Sequence, residues 1–251
     1  MADFIGTIIF SFIMGFSVYL SLPLLLRRKT DSRILKLLNS AAIGILIFLM
    51  ADVFSDAAVI LYSKGSLYGY GASPLYSLVL ALGLTIGFFM LYAFEHRSKR
   101  GLTPTKTALM IAIGIGLQNL TEGLVFGSLS VSVGLLSGVA LVVLVGFVLQ
   151  NITEGFPILS PFISHKDKRL GAVIILLLVA SIPTIIGGVA GFYYSSPIFN
   201  LFFDGLAIGA ILYVILPMTK HLLKDIDPMH QKVAYLGIFI GFLVGFLVNL
   251  I

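Results

Sequence analysis

Two short segments of this chain carry the residues best suited to chemistry. Leu117-Gln118-Asn119-Leu120-Thr121-Glu122-Gly123 recurs 32 residues later as Leu149-Gln150-Asn151-Ile152-Thr153-Glu154-Gly155. On a helix, residues three and four apart share a face, so Gln118, Asn119 and Glu122 stack on one stripe, and Gln150, Asn151 and Glu154 on another. Each stripe offers two amides and one carboxylate. Carboxylate and amide oxygens suit hard divalent cations such as Mn²⁺, Fe²⁺ or Mg²⁺, whereas zinc prefers imidazole or thiolate. Amides alone could serve as interhelical hydrogen-bond clamps. The two acids need another reason, and it depends on where the segments lie.

The chain has 251 residues, of which 59% are hydrophobic and only 11% charged, and it contains no cysteine. That is too little charge for the surface of a water-soluble domain of this length. Without cysteine, a metal must be held by nitrogen or oxygen. Eight apolar runs are long enough to span a bilayer: Phe4–Leu26, Leu37–Tyr62, Ser73–Phe94, Thr105–Leu129, Val133–Ser160, Leu170–Tyr194, Ile198–Leu223 and Val233–Ile251. The expected fold is therefore all-α, a polytopic membrane protein with eight transmembrane helices. Its connections are short, with no linker or low-complexity segment, so residues 1–251 read as one integral membrane domain.

Fifteen of the sixteen Lys and Arg residues fall in the first, third, fifth and seventh connections, and only Lys64 falls in an even one. The positive-inside rule then places those connections in the cytoplasm and both termini outside. The bases are topology signals rather than a phosphate-binding face, so no nucleic-acid partner is expected. The first span lacks a preceding basic region and reads as a retained helix with an external N-terminus. Consecutive spans run antiparallel, which makes the repeat on the fourth and fifth spans an inverted pair. Both stripes fall near mid-span, where an ionised carboxylate costs at least about 2.5 kcal/mol. A clamp would avoid such acids, whereas an ion pathway requires them, and the pair calls for a shared cation. Inverted repeats with a site at mid-depth are a recurrent transporter design.

The paired motif resembles the fourth and fifth spans of the ZIP (Zrt/Irt-like protein) family of divalent metal transporters, which read His-Asn-x-Pro-Glu-Gly and His/Gln-Asn/Asp-x-Pro-Glu-Gly. The stretch Ala207-Ile208-Gly209-Ala210-Ile211-Leu212-Tyr213-Val214 is similar to that family's seventh span. The resemblance implies eight spans with both ends outside, and a bundle holding the fourth and fifth spans that moves against the rest, often within a homodimer. It also implies that Gln118, Glu122, Gln150 and Glu154 line one metal position, and that Asn119 and Asn151 line an adjacent one with the same two acids. The departures are specific. The fourth-span His is Gln118, the motif Pro is Thr121 or Thr153, and the sixth-span Glu before a proline is Ile182. The acidic or His-containing end of the seventh span is Leu216-Pro217-Met218, which leaves His221 as the nearest substitute at a cytoplasmic exit. A second metal position thus loses a carboxylate, and the remaining donors are all oxygen.

Asp52 and Asp56 lie four apart in the outer half of the second span and Asp204 near the outer end of the seventh; Asp56 and Asp204 are expected to form an acidic entrance, with Asp52 deeper along the route. His96, His165 and His230 read as solvated, and Glu95 as a helix cap or a headgroup contact. Gly83 and Gly87, Gly134 and Gly138, Gly187 and Gly191, Gly205 and Gly209, and Gly237, Gly241 and Gly245 are expected at close helix contacts. Pro157, Pro183 and Pro217 are expected to kink their spans.

The expected function is a transporter that moves Zn²⁺, Fe²⁺ or Mn²⁺ into the cytoplasm, with the metal as substrate and no prosthetic group. The absence of long loops and targeting extensions points to a prokaryotic cell membrane. An intramembrane enzyme would want a His-Glu-x-x-His pair or an acid cluster at the headgroups, and the sequence offers neither. The remaining alternative is a non-transporting membrane receptor or structural bundle that has lost metal ligands.

Overall fold

A computed structural model describes residues 4–26, 32–62, 73–97, 103–163, 170–194, 196–222 and 228–250. Its elements are α1 (Phe4–Phe16), continued by a 3-10 segment (Ser17–Leu26), then α2 (Ser32–Leu61), α3 (Pro74–His96), α4 (Pro104–Leu129), α5 (Gly138–Ile163), α6 (Leu170–Tyr193), α7 (Pro197–Leu222) and α8 (Pro228–Asn249). Eight of these stretches are long and apolar enough to cross a membrane. Four helices begin at proline, whose missing N–H removes a donor that the first turn leaves unpaired in any case. In α4, Thr103 adds a cap by accepting from the Lys106 backbone N–H at 3.2 Å.

The second and eighth spans start about one turn earlier than the sequence expectation, at Ser32 and Pro228, and two other spans differ in ways that matter for the site. The first span is α-helical only to Phe16 and tightens into 3-10 geometry through Pro23. The fourth does not stop at Leu129 but runs on through a π-helical turn, Ser130–Gly134. The hairpin to α5 then turns at Gly134, whose φ of 89° is a conformation only glycine adopts readily. Nothing lies within 4 Å of a Cβ placed at Gly134 or Gly138. That pair is therefore a turn and a helix start, not a helix contact.

The other glycine pairs do bring backbones together, and they reveal the directions of the helices. A Cβ at Gly87 of α3 would overlap the Leu206 carbonyl of α7, and one at Gly83 would overlap that of Phe202, so α3 and α7 run parallel. By the same reading, Gly123 and Gly127 of α4 meet Thr184 and Gly188 of α6 in parallel register, and Gly237 and Gly241 of α8 meet Leu37 and Ala41 of α2. In contrast, Gly15 of α1 meets Ser181 while Gly188 meets Ser11, an antiparallel pair. In a bilayer, apolar contact with a neighbour is no better than contact with lipid, so such close backbone approach supplies much of the packing energy.

The packing follows a pseudo-twofold pattern. The most extensive pairs are α4 with α6, α3 with α7 and α2 with α8. Exchanging α1 with α6, α2 with α7, α3 with α8 and α4 with α5 turns α3–α7 into α8–α2. It also turns α4–α6 into the pairing of α5 with the first span, and α4–α7 into α5–α2. The two motif helices exchange with each other and sit at the centre of this pattern.

Candidate functional site

The site forms where α4 and α5 cross. Thr121 and Thr153 occupy equivalent places in the two motifs, and each donates its hydroxyl to the carbonyl three residues back, Gln118 O and Gln150 O, both at 2.7 Å. These internal bonds turn the motif threonines onto their own backbones and leave the neighbouring amides and acids to face the other helix. Gly123 and Gly155 close each motif by admitting a neighbouring element, α6 for the first and the 3-10 segment at Val18 and Ser21 for the second.

All six motif residues are buried, with Asn119, Asn151 and Glu154 fully excluded from solvent. Gln118 Nε2 donates to Glu122 Oε1 at 3.2 Å and to Glu154 Oε1 at 3.3 Å, so one carboxamide holds a carboxylate from each helix. Asn151 Nδ2 donates to Glu122 Oε2 at 3.0 Å and to the Phe147 carbonyl at 2.9 Å. Asn119 Nδ2 donates to Asn151 Oδ1 at 2.9 Å and to the Ala180 carbonyl of α6 at 3.0 Å. The expected stripes therefore do meet.

Every side-chain group that donates to the two Glu carboxylates in these bonds is an amide. Gln118 Oε1, Asn119 Oδ1 and Glu154 Oε2 are buried without any hydrogen-bond partner. Buried polar atoms in folded proteins are paired in the great majority of cases, so three orphaned oxygens from two helices in one place call for a ligand that supplies positive charge or protons. Among the described residues, no group of three or more His, Asp or Glu side chains assembles as a metal cluster. The centre is two carboxylates and their amides, all oxygen on the accepting side.

Asp52 connects this centre to the hairpin end of the bundle. Gln150 Nε2 donates to Asp52 Oδ2 at 3.4 Å, and Asn249 of α8 donates to Asp52 Oδ1 at 2.6 Å. Asp52 lies within coulombic range of both Glu122 and Glu154. Asp56 is close enough to interact with Asp52, and Asp204 with Asp56, so the acids form a line from the α7 N-terminus to the centre. Of the expected entrance residues, Asp56 is exposed while Asp204 is buried against α4, its side chain reaching Thr121. Asn249 went unnoticed in the sequence, where a single amide in the last turn of an apolar run is an ordinary interfacial residue.

At the opposite end of the bundle Glu95 is half-buried and His96 is exposed. Tyr213 of α7 donates its hydroxyl to Glu95 Oε2 at 2.6 Å, and Lys106 of α4 donates to the Glu95 carbonyl. His96 stacks on Tyr92 with ring centroids 4.2 Å apart, and its Nδ1 lies 2.9 Å from the Tyr92 carbonyl. His221 falls in α7, but its side chain lies outside the described residues, as do His230's side chain and the whole of His165. No protein-family model matches this sequence, and no curated protein matches it.

Proposed function

We propose that this protein is a divalent metal transporter that carries its cation through the α4–α5 crossing, with the metal as substrate. The observation that carries the reading is the set of three unpartnered oxygens, Gln118 Oε1, Asn119 Oδ1 and Glu154 Oε2, gathered beside two buried carboxylates. A dication satisfies all three and neutralises both acids, where two lone ionised carboxylates would each cost at least about 2.5 kcal/mol in the membrane. The amides adapt by rotation. Gln118 now donates its N–H groups to Glu122 and Glu154; turned over, it presents its oxygen to a cation between them. Glu122 and Glu154 are the principal ligands in this reading, with Gln118, Asn119, Gln150 and Asn151 completing the shell.

The line of Asp204, Asp56 and Asp52 supports an entrance from the hairpin end, which the positive-inside rule assigns to the outside. Uptake then runs inward, toward the end where Tyr213 and Glu95 meet. The resemblance to ZIP transporters points the same way, and the all-oxygen shell favours Mn²⁺ or Fe²⁺ over Zn²⁺.

The test is uptake of Mn²⁺, Fe²⁺, Zn²⁺ and Cd²⁺ into proteoliposomes, with a Glu122→Ala, Glu154→Ala double variant alongside. Uptake by the unaltered protein and its loss in the double variant are expected. A bundle that moves none of the four ions, or a double variant that moves them equally well, defeats the proposal and leaves a receptor or structural role.

A further inference from the structure

The two oxygens of Asp52 are held by different helices and at different lengths. Asn249 Nδ2 of α8 donates to Oδ1 at 2.6 Å, whereas Gln150 Nε2 of α5 reaches Oδ2 only at 3.4 Å. The first is a short, charge-assisted bond, and the second lies beyond the usual range for N–H to oxygen. Asn249 is exposed at the end of α8, where water would satisfy its amide. It turns sideways to α2 instead.

The packing of α2 on α8 accounts for the difference. Their parallel seam brings Gly237 of α8 against Leu37 and Ser40 of α2, Gly241 against Ala41, and Gly245 against the Phe48 ring. From the other side, Gly44 of α2 admits the α8 backbone at Ile238 and Phe242. One more turn in this register sets Asn249 beside Asp52. Helices whose backbones approach this closely cannot slip past each other without clashing, so the seam fixes the amide and the acid in one frame. Gln150 stands outside that frame, because α5 closes on the first span, where Gly155 meets Val18 and Ser21. Its link to Asp52 is therefore the compliant one. Asp52 is only half-buried, and a carboxylate in that setting turns readily toward water. With Oδ1 tied to Asn249, Oδ2 is left directed at Gln150 and the central acids beyond it.

We propose that Asn249 is a positioning residue for cation entry: it holds Asp52 so that Oδ2 receives the incoming dication and hands it to Gln150. The long N–H contact of Gln150 gives way at that step, and the carboxamide turns its oxygen to the ion. The inference rests on the cation reading above. Asn249 acts through Asp52 and is not itself a ligand of the ion. Its loss therefore weakens capture on the approach and leaves the slower events at the centre as they were, which separates KM from the maximal rate.

The test is Mn²⁺ uptake into proteoliposomes over a range of concentrations. Asn249 is exposed, so Asn249→Leu and Asn249→Ala remove the donor without crowding the bundle. In each we expect KM to rise at least about fivefold and the maximal rate to stay within about twofold, as for the loss of one hydrogen bond to a charged group. Asn249→Gln keeps a carboxamide on a longer arm and should hold KM within about twofold of the original. Asp52→Asn should raise KM as well, and adding Asn249→Leu to it should raise KM no further, since the two act as one unit. A KM unmoved by the Leu and Ala variants overturns the inference. So does a fall in maximal rate at constant KM, a loss in Asn249→Gln equal to that in Asn249→Leu, or a full effect of Asn249→Leu on top of Asp52→Asn. Each of these leaves the cation reading standing. An unaltered protein that takes up no Mn²⁺, Fe²⁺, Zn²⁺ or Cd²⁺ defeats that reading first and takes the inference with it.

Discussion

Among the described residues, Glu122 and Glu154 differ from every other acid in sharing one donor, Gln118, across two helices. Replacing Glu154 by Gln keeps its volume and its hydrogen bonds but removes the charge, so the helices should still cross while Mn²⁺ uptake falls at least about tenfold, as measured in liposomes. Because carboxylates bind metal only when deprotonated, uptake should decline as external pH is lowered, with protons and cations competing for the same oxygens. Gln118→His offers a sharper test, since imidazole favours zinc over manganese. The ratio of Zn²⁺ to Mn²⁺ uptake should rise in that variant; an unchanged ratio means that position 118 does not touch the ion. The motif residues were legible in the sequence because a seven-residue pattern recurred at a helical spacing. Asn249 was not, since a single amide at the end of an apolar helix marks nothing.

At the level of helices, the glycines divide into those that touch and those that do not. A Cβ at Gly87 meets the α7 backbone and one at Gly44 meets the α8 backbone, so Gly87→Ala and Gly44→Ala must push two helices apart. Overpacking of this kind costs about 1–3 kcal/mol. Gly146, inside α5, has nothing within 4 Å of its Cβ position, so Gly146→Ala should be neutral or stabilise by about 0.5–1 kcal/mol through helix propensity. Thermal melts in one detergent compare the three directly, and destabilisation by Gly146→Ala equal to that by Gly87→Ala contradicts the packing described. The spacing of these glycines announced close contact but not the partner, because small residues four apart fit any helix. Gly134 and Gly138 have the same spacing and make a turn. The spans themselves were readable from apolar length, whereas the 3-10 segment after Phe16 and the π-helical turn after Leu129 changed only hydrogen-bond registry and left no trace in hydropathy.

The whole bundle is organised about the α4–α5 pair, with the remaining helices exchanging in pairs around it. Only the inverted motif hinted at this arrangement, because the flanking helices share packing and not sequence. Direction across the membrane rests on fifteen bases in four connections. The absence of cysteine makes the chain its own background for labelling. A single cysteine at the exposed Ser132 should react with an impermeant maleimide on intact cells, and one at Thr103 only after permeabilisation; the reverse result inverts the bundle and turns uptake into export. Asn249 carries a practical consequence as well. Its carboxamide grips Asp52 from the final turn of α8, so a purification tag or fluorescent protein fused immediately after Ile251 would tug on Asp52. Fusions at that end are therefore a poor choice for activity assays unless a flexible spacer isolates the last turn, and a tag-dependent uptake rate would itself report on the grip.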